Sequence, residues 1–330
     1  MAPSRIDITE APSGEAEEHE AIDAQRPSMY LLEDFPQAAV EYCQNVFNTI
    51  LANDPKVHSW REHADAVLVR EKIISAHDIE HCQRLRAIGK QGTGIDIIDQ
   101  IACARHNVAI LNTPGVNAQA VAELVLTLTM AVARQIRKIS VRQTAGKEVR
   151  KQHCEGISIK GKSIGIVGMG AIGTTVARMF QGAFGCHVYA LDPYASDKAW
   201  GDIIHTRTRE LEEMLDKVDI LTLHVPLTPA TKGMINMRHM KMMKSSAILI
   251  NVTRGGIVDE GDLLEALNLG MLHGAGLDCH VVEPPTKEQY ELLWETERVV
   301  STPHIGAATV DTRLETAMAA IRNVEKFFRG

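Results

Sequence analysis

Six residues open the argument: Gly168-Met169-Gly170-Ala171-Ile172-Gly173. The spacing G-x-G-x-x-G is weak alone, because glycines also punctuate ordinary turns. Its context strengthens it. The apolar run Ser163–Val167 leads in as a strand and the stretch from Thr174 leads out as a helix. In that setting Gly168 permits a tight turn, Gly170 lets backbone approach a pyrophosphate, and Gly173 lets helix pack on strand. The helix N-terminal amides then face the phosphate charge. The next apolar run, Val188–Leu191, ends at Asp192, nineteen residues beyond Gly173. A carboxylate there accepts from the adenosine ribose hydroxyls and repels a 2′-phosphate, so the motif predicts NAD over NADP. Asp192 before Pro193 is also an ordinary turn residue. The joint pattern of glycines, strand, helix and spacing favours the dinucleotide.

Ligands of open parallel sheets sit outside the carboxyl ends of the strands, so residues following each apolar run come next. His224-Val225-Pro226 follows Leu223, and Asn251-Val252-Thr253-Arg254-Gly255-Gly256 follows the run from Ile248. Leu277 runs into Asp278, with Glu283-Pro284-Pro285 shortly after, and Thr302-Pro303-His304-Ile305-Gly306 follows Val299–Ser301. Singly, Arg254 reads as a solvated turn, Glu283 as a loop charge, and His304 as a capping or buried imidazole. At successive ends of one sheet beside a phosphate loop, they make a site the better reading. The chemistry is coherent: a nicotinamide supplies hydride, so the protein must supply proton transfer and charge stabilisation. His304 can exchange a proton with a carbonyl or hydroxyl oxygen, and Glu283 can orient the imidazole and stabilise its cation. The planar fork of Arg254 can hold a carboxylate. Asp278, at a strand end, is placed for the nicotinamide carboxamide.

The elements that must position these groups alternate along the chain. Strands are expected at Met29–Leu32, Ala66–Val69, Leu85–Ile88 and Val108–Leu111, with helices around Ala38–Leu51, Ala76–Cys82 and Ile98–His106. A long helix over about Ala118–Ile139 follows the break at Thr113-Pro114-Gly115. A second alternation has strands at Ile164–Val167, Val188–Leu191, Ile220–Leu223, Ile248–Val252, Gly274–Leu277 and Val299–Ser301, and helices at Ile172–Gln181, Arg209–Leu215, Met237–Met242 and Gly261–Leu269. Six strands with intervening helices predict a doubly wound parallel sheet. The last helix, about Thr309–Phe328, follows all of them and could fold back on the first domain. Residues 27–117 with 308–330 are expected to form one domain, and 118–307 the dinucleotide-binding one.

Composition removes other classes. The 330 residues suit two domains, with 45% hydrophobic residues and a net charge of −7. A mildly acidic chain with 4% aromatics has neither the basic footprint nor the stacking surface for nucleic acid, and no pull toward an anionic membrane. The apolar stretch Val121–Ala133 is too short to span a bilayer. Residues 1–26 hold seven acids against two arginines and read as a solvated, disordered tail, neither a secretory signal nor a transit peptide. Six scattered cysteines, none in C-x-x-C spacing, read as small buried hydrophobes in a reducing compartment, so a cytoplasmic protein is expected, without a metal.

Taken with Gln91–Asp96 (QGTGID), Asn112–Asn117 (NTPGVN), Asn251–Gly261 (NVTRGGIVDEG) and Thr302–Ala307 (TPHIGA), these motifs resemble the D-isomer-specific 2-hydroxyacid dehydrogenases, most of all the D-3-phosphoglycerate dehydrogenase group, over about residues 66–320. The resemblance implies an NAD-binding Rossmann domain and a flavodoxin-like substrate domain with a cleft between them, and hydride transfer between NAD and a small D-2-hydroxy or 2-oxo acid. It implies a catalytic triad of Arg254, Glu283 and His304. It implies cofactor contacts along the glycine loop Gly168, Gly170, Ala171, Ile172 and Gly173, and at Asp192, His224, Val225, Pro226, Val252, Thr253, Asp278, Gly306 and Thr93. Substrate contacts would fall at Thr93, Gly94, Arg70 and Arg254. A homodimer through the NAD domain is also implied.

The sequence departs from the group in places. Arg70-Glu71-Lys72-Ile73 stands where the group often has Arg-Ser-x-Thr, and Glu71 would disfavour a phosphate placed against it. Ile97 replaces the usual Asn after the Asp of the glycine loop, and the chain ends after the last expected helix, so a regulatory C-terminal domain is not expected. The formate dehydrogenases of this fold carry Gln where Glu283 stands. Two further readings share the motifs: an NAD-sensing scaffold of the C-terminal-binding-protein corepressor type, and D-3-phosphoglycerate dehydrogenase of serine biosynthesis itself. His77-Asp78-Ile79-Glu80-His81 matches H-x-x-E-H by letter, but Ser75 and Asp78 read as a helix-capping pair. Asn251-Val252-Thr253 is a sequon without a secretory signal.

Overall fold

The computed structural model describes residues 26–330; the acidic tail expected over 1–26 lies, but for Arg26, outside the described residues. The chain divides into two compact units, one running up to Thr113 and resuming at Leu314–Gly330, the other comprising Pro114–Arg313. The divisions expected from sequence, after 117 and after 307, lie a few residues away.

The first unit holds five parallel strands, β1 Ser28–Leu31, β2 Asn48–Ile50, β3 Ala66–Val69, β4 Ala87–Lys90 and β5 Ala109–Leu111, in the order β2-β1-β3-β4-β5. Its central strands β1, β3 and β4 are mostly apolar and buried on both faces, as parallel sheets require. Tyr30, Val67, Val69 and Ile88 face Trp60, Ile79, Ile98 and Cys103. Met29, Leu31, Ala66 and Leu68 face Ala39 and Cys43 together with Ala317, Ala320, Ile321 and Val324 of the last helix, Val310–Arg329. Gly89 marks how closely that helix packs: a β-carbon there would lie 2.9 Å from Val324 Cγ2.

The second unit has seven parallel strands: β6 Ser163–Val167, β7 His187–Leu191, β8 Thr206–Thr208, β9 Ile220–Leu223, β10 Ile248–Asn251, β11 Gly274–Leu277 and β12 Val299–Ser301. Their order is β12-β11-β10-β9-β6-β7-β8, so the strand order reverses between β6 and β9. Successive residues face opposite layers. Ile220, Ile248 and Ile250 pack with Val125 and Leu128 of the helix Ala118–Ala133 and with Val176 and Phe180 of the helix Ala171–Phe184. Leu221, Leu249 and Ala275 pack with Met214, Leu263, Leu267 and Leu293 on the other side.

Several expectations change. β2 falls where a helix was expected to run to Leu51: the helix stops at Val46 and Phe47 is extended, because the Asn48-Thr49-Ile50 stretch pairs with β1. β8 is a polar edge strand with no apolar run to reveal it. The helix from Ala118 ends at Ala133, because Ile157 N–H donates to Ala133 O at 2.8 Å, and Gln135 turns left-handed at φ 54° before a new helix starts at Ile136. A further helix, Lys287–Glu295, was not foreseen. Among the described residues, no helix is long and apolar enough to cross a membrane. The cysteines form no disulfide, and burial pushes the Cys43, Cys82 and Cys103 thiols up to about 11.

Candidate active site

The reversal of strand order between β6 and β9 is where an open α/β sheet offers a crevice at its carboxyl edge. The glycine loop leaves β6 at this point. Gly168 has φ +104° and sits against the next strand end: a β-carbon on it would stand 2.4 Å from His224 O. Nothing lies within 4 Å of a β-carbon built at Gly170, so the outer side of the loop is open to a pyrophosphate. Gly170 also caps the helix Ala171–Phe184 without any side-chain hydrogen bond, leaving that job to an incoming anion. Ala171 and Ile172 form its first turn, and Gly173 is buried. Asp192 ends β7 beside them. Its Oδ2 accepts from Met169 N at 2.9 Å, and its Oδ1 from Tyr194 N and Ala195 N at 2.9 and 3.2 Å. The carboxylate is thus fixed to the loop it would serve, with lone pairs left for ribose hydroxyls.

His224 follows β9. Burial pushes its imidazole down to about 3, so it is neutral, and Nε2 pairs with Thr222 Oγ1 at 3.0 Å. Its Nδ1 is buried and has no hydrogen-bond partner among the described residues. An open cradle, a fixed carboxylate and an orphaned ring nitrogen at one crevice fit a dinucleotide. Val225 and Pro226 continue from His224 along the rim, and Val252 and Thr253 stand buried at the end of β10.

A histidine–carboxylate pair comes from the segments after the two strands beyond. His304 Nδ1 lies 2.9 Å from Glu283 Oε2. The hydrogen bond with Glu283 raises the His304 pKa above 6.5, against burial and the positive charge of Arg254, which lower it. Burial alone would raise the Glu283 carboxyl; the hydrogen bonds from His304 and from the His280 amide outweigh it, and its pKa is lowered. The two shifts agree in favouring the ion pair. Arg254 sits near enough to repel the His304 proton, with Nη1 donating to Thr253 O at 2.7 Å.

Asp278 underpins this arrangement. It is fully buried; Oδ1 accepts from Thr302 Oγ1 at 2.6 Å and Ile305 N at 2.8 Å, and Oδ2 from Gly306 N at 2.8 Å. His304 N in turn donates to Asp278 O at 2.7 Å. The structure therefore gives Asp278 the task of shaping the His304 loop. Asn251 does the same for the Arg254 loop: Nδ2 donates to Arg254 O at 2.9 Å, and Oδ1 accepts from Thr253. Its sequon is a buried turn.

Sequence reasoning missed the brace behind Glu283. His280 N donates to Glu283 Oε1 at 3.0 Å, and the His280 ring packs edge-on against Tyr290, 4.9 Å between centroids. Glu260 accepts from Val281 N at 3.0 Å and from Tyr290 OH at 3.1 Å, and burial raises its pKa. Tyr290 lies on the helix Lys287–Glu295 that the sequence did not show, and Glu260 lies inside the motif Asn251–Gly261 with no role read for it. Cys279 Sγ donates to Thr253 O at 3.2 Å and lies within 4.8 Å of a Glu283 carboxylate oxygen and a His304 ring nitrogen.

In the first unit, Arg70 follows β3, and Thr93 and Gly94 follow β4, on the carboxyl edge of their own sheet. Asn112 Nδ2 donates to Thr93 O at 2.6 Å. The H-x-x-E-H letters resolve as expected: Ser75 and Asp78 form a reciprocal capping box, and the His77 and His81 rings stack 4.1 Å apart.

Known proteins share this architecture. The family model "D-isomer specific 2-hydroxyacid dehydrogenase, NAD binding domain" matches residues 126–306, more than half of the chain. The hydroxypyruvate reductase of Thermotoga maritima is 36% identical over 266 residues, which cover 80% of this chain and 84% of that protein. The D-3-phosphoglycerate dehydrogenase of Methanocaldococcus jannaschii is 34% identical over 268 residues, 81% of this chain and 50% of the relative, so the chain spans about half the length of that enzyme. Among solved structures, the NAD+-bound 3-phosphoglycerate dehydrogenase of Entamoeba histolytica superposes with a TM-score of 0.75 at 25% identity, covering 92% of this chain and 96% of that one. A glycine cradle ending in Asp192, a His304–Glu283 pair and the match over residues 126–306 lead to one conclusion: the chain belongs to the D-isomer-specific 2-hydroxyacid dehydrogenase family and carries its NAD-binding domain.

Proposed function

We propose that the protein is an NAD-dependent D-2-hydroxyacid dehydrogenase, reversibly interconverting a small 2-oxo acid and its D-2-hydroxy acid. The unit Pro114–Arg313 is the cofactor domain and the other unit the substrate domain. The hydrogen-bonded pair of His304 and Glu283 carries this reading, because it is the proton-transfer device that hydride chemistry needs from a protein. Bound on the glycine loop, NAD(H) supplies or takes the hydride. His304 gives its proton to the carbonyl oxygen during reduction and takes the hydroxyl proton during oxidation. Glu283 holds Nδ1, which leaves Nε2 for the substrate oxygen, and balances the imidazolium. Arg254 binds the substrate carboxylate and polarises the adjacent carbonyl; within the other unit, the family resemblance assigns the substrate carboxylate to the backbone of Thr93 and Gly94 and a further substrate contact to Arg70. Asp192 takes the ribose hydroxyls, and Val225, Pro226, Val252, Thr253, Asp278 and Gly306 line the cofactor's path. The family resemblance further supports a homodimer through the cofactor domain and a cytoplasmic enzyme.

The test is NADH oxidation followed against a panel of 2-oxo acids that includes hydroxypyruvate, phosphohydroxypyruvate, glyoxylate and bulkier analogues. An enzyme should turn over at least one of them above about 1 s⁻¹. NADH binding without turnover of any would support the corepressor-type scaffold instead.

A further inference from the structure

The first unit has its own switch point. In the order β2-β1-β3-β4-β5 it lies between β1 and β3, outside their carboxyl ends. There the chain leaving β3 turns three successive backbone amides toward one spot, and the Glu33 carboxylate fills it. Oε2 accepts from Arg70 N at 2.5 Å, Glu71 N at 3.0 Å and Lys72 N at 3.1 Å, and Oε1 also accepts from Glu71 N at 3.0 Å. Consecutive amides aimed in this way form a nest for an oxyanion. The Glu33 side chain is 16% exposed. The Arg70 guanidinium lies 4.0 Å from Glu33 Oε1 and 3.1 Å from Glu71 Oε1, and reaches Asp34 O at 3.5 Å. Its charge is already shared between two carboxylates.

We propose that Glu33 is a built-in anion that occupies this nest, and thereby makes the protein accept 2-oxo acids with uncharged tails and reject phosphorylated ones. The inference rests on the reading above, in which the Thr93–Gly94 backbone takes the substrate carboxylate. Those residues leave β4, which pairs with β3 so that Val69 stands opposite Lys90. The nest therefore opens one strand away on the same edge. Adjacent strands lie about 4.8 Å apart, the reach of a three-carbon acid. A phosphate on the tail would meet amides already satisfied, an Arg70 already paired, and the carboxylates of Glu33 and Glu71.

The experiment compares kcat/KM for phosphohydroxypyruvate and hydroxypyruvate, with NADH, in the wild type, Glu33→Ala, Glu33→Gln and Glu71→Gln, together with calorimetric titration of inorganic phosphate into each. The wild-type ratio, phosphorylated over unphosphorylated, should be at or below about one. Glu33→Ala should raise it at least tenfold, about 1.4 kcal/mol, and should bind inorganic phosphate where the wild type does not. Glu33→Gln keeps an acceptor for the amides and should raise the ratio through charge alone. Glu71→Gln alters a side chain that is 79% exposed and should raise it by about two- to fivefold. A wild type that prefers phosphohydroxypyruvate more than tenfold, or folded Glu33 variants that leave the ratio unchanged, would overturn the proposal. If no 2-oxo acid is turned over, the dehydrogenase reading fails separately. Phosphate binding to Glu33→Ala alone would still establish the nest, and binding to neither form would refute it.

Discussion

Glu283 grips two residues at once: Oε2 lies 2.9 Å from His304 Nδ1, while Oε1 accepts the His280 amide at 3.0 Å. The carboxylate cannot swing away from the imidazole without losing its second bond. His304 is constrained from its own side too, since its backbone is left-handed at φ 56° and its N–H donates to Asp278 O at 2.7 Å. A non-glycine residue in that region costs of order 1 kcal/mol and persists where surrounding contacts hold it. His304→Ala should therefore lower kcat/KM by roughly 10²–10⁴-fold, while NADH affinity, measured by fluorescence titration, changes less than about threefold. A collapse of NADH binding would make His304 a cofactor residue.

The proposed role of Arg254 on the substrate depends on its planar fork. Lysine keeps the charge without the fork. Arg254→Lys should lose about 100-fold in kcat/KM, about 2.7 kcal/mol, with NADH affinity almost unchanged. Steady-state kinetics with a parallel NADH titration separates the two, and equal losses in both would move Arg254 to the cofactor.

Three backbone amides fix Asp192, and the proposed function sets its carboxylate against the ribose, where it would repel a 2′-phosphate. NADH should be preferred over NADPH by roughly 100-fold in kcat/KM, about 2.7 kcal/mol. Asp192→Asn, which removes the charge at nearly constant shape, should cut that preference at least tenfold. Equal use of the two cofactors by the wild type would remove Asp192 from the ribose.

The loop carrying Arg254 and the loop carrying Glu283 touch backbone to backbone at Gly255, where a β-carbon would stand 2.0 Å from His280 O. Gly255→Ala must push the loops apart and shift the His280 amide that holds Glu283. The expected cost is about 1–3 kcal/mol of stability, read by urea unfolding, together with a fall in kcat. A variant of wild-type stability and rate would show that the contact is soft.

What the sequence made legible was local. The glycine spacing, Asp192 and the polar residues after each strand could be found because each sits within a few residues of the apolar run that positions it. What it hid was distant in the chain or polar in composition. Glu33 meets its amides 37 residues later, a pairing no spacing reveals. β8, with the sequence Thr206-Arg207-Thr208, has no hydrophobic signal, and the break at Gln135 depends on Ile157 capturing the Ala133 carbonyl from outside the helix. The hydrogen bonds of Asp278 were not legible either, since its three donors come from the segment after the next strand.

The central claim is that Glu283 tunes His304 as the proton donor, and a pH–rate profile tests it most directly. The Glu283 hydrogen bond raises the His304 pKa, so reduction, which needs the imidazolium, should be sustained below that pKa and decline as pH rises through it. Glu283→Gln keeps the shape and removes the charge, so the imidazolium is less stable and its pKa falls. Measured as kcat/KM for 2-oxo acid reduction in both proteins, the alkaline limb should move to lower pH in the variant, while oxidation, which needs neutral His304, should hold up better at low pH. An alkaline limb that stays at the same pH in Glu283→Gln would contradict the account, because the group titrating in catalysis would then not be the histidine that Glu283 holds.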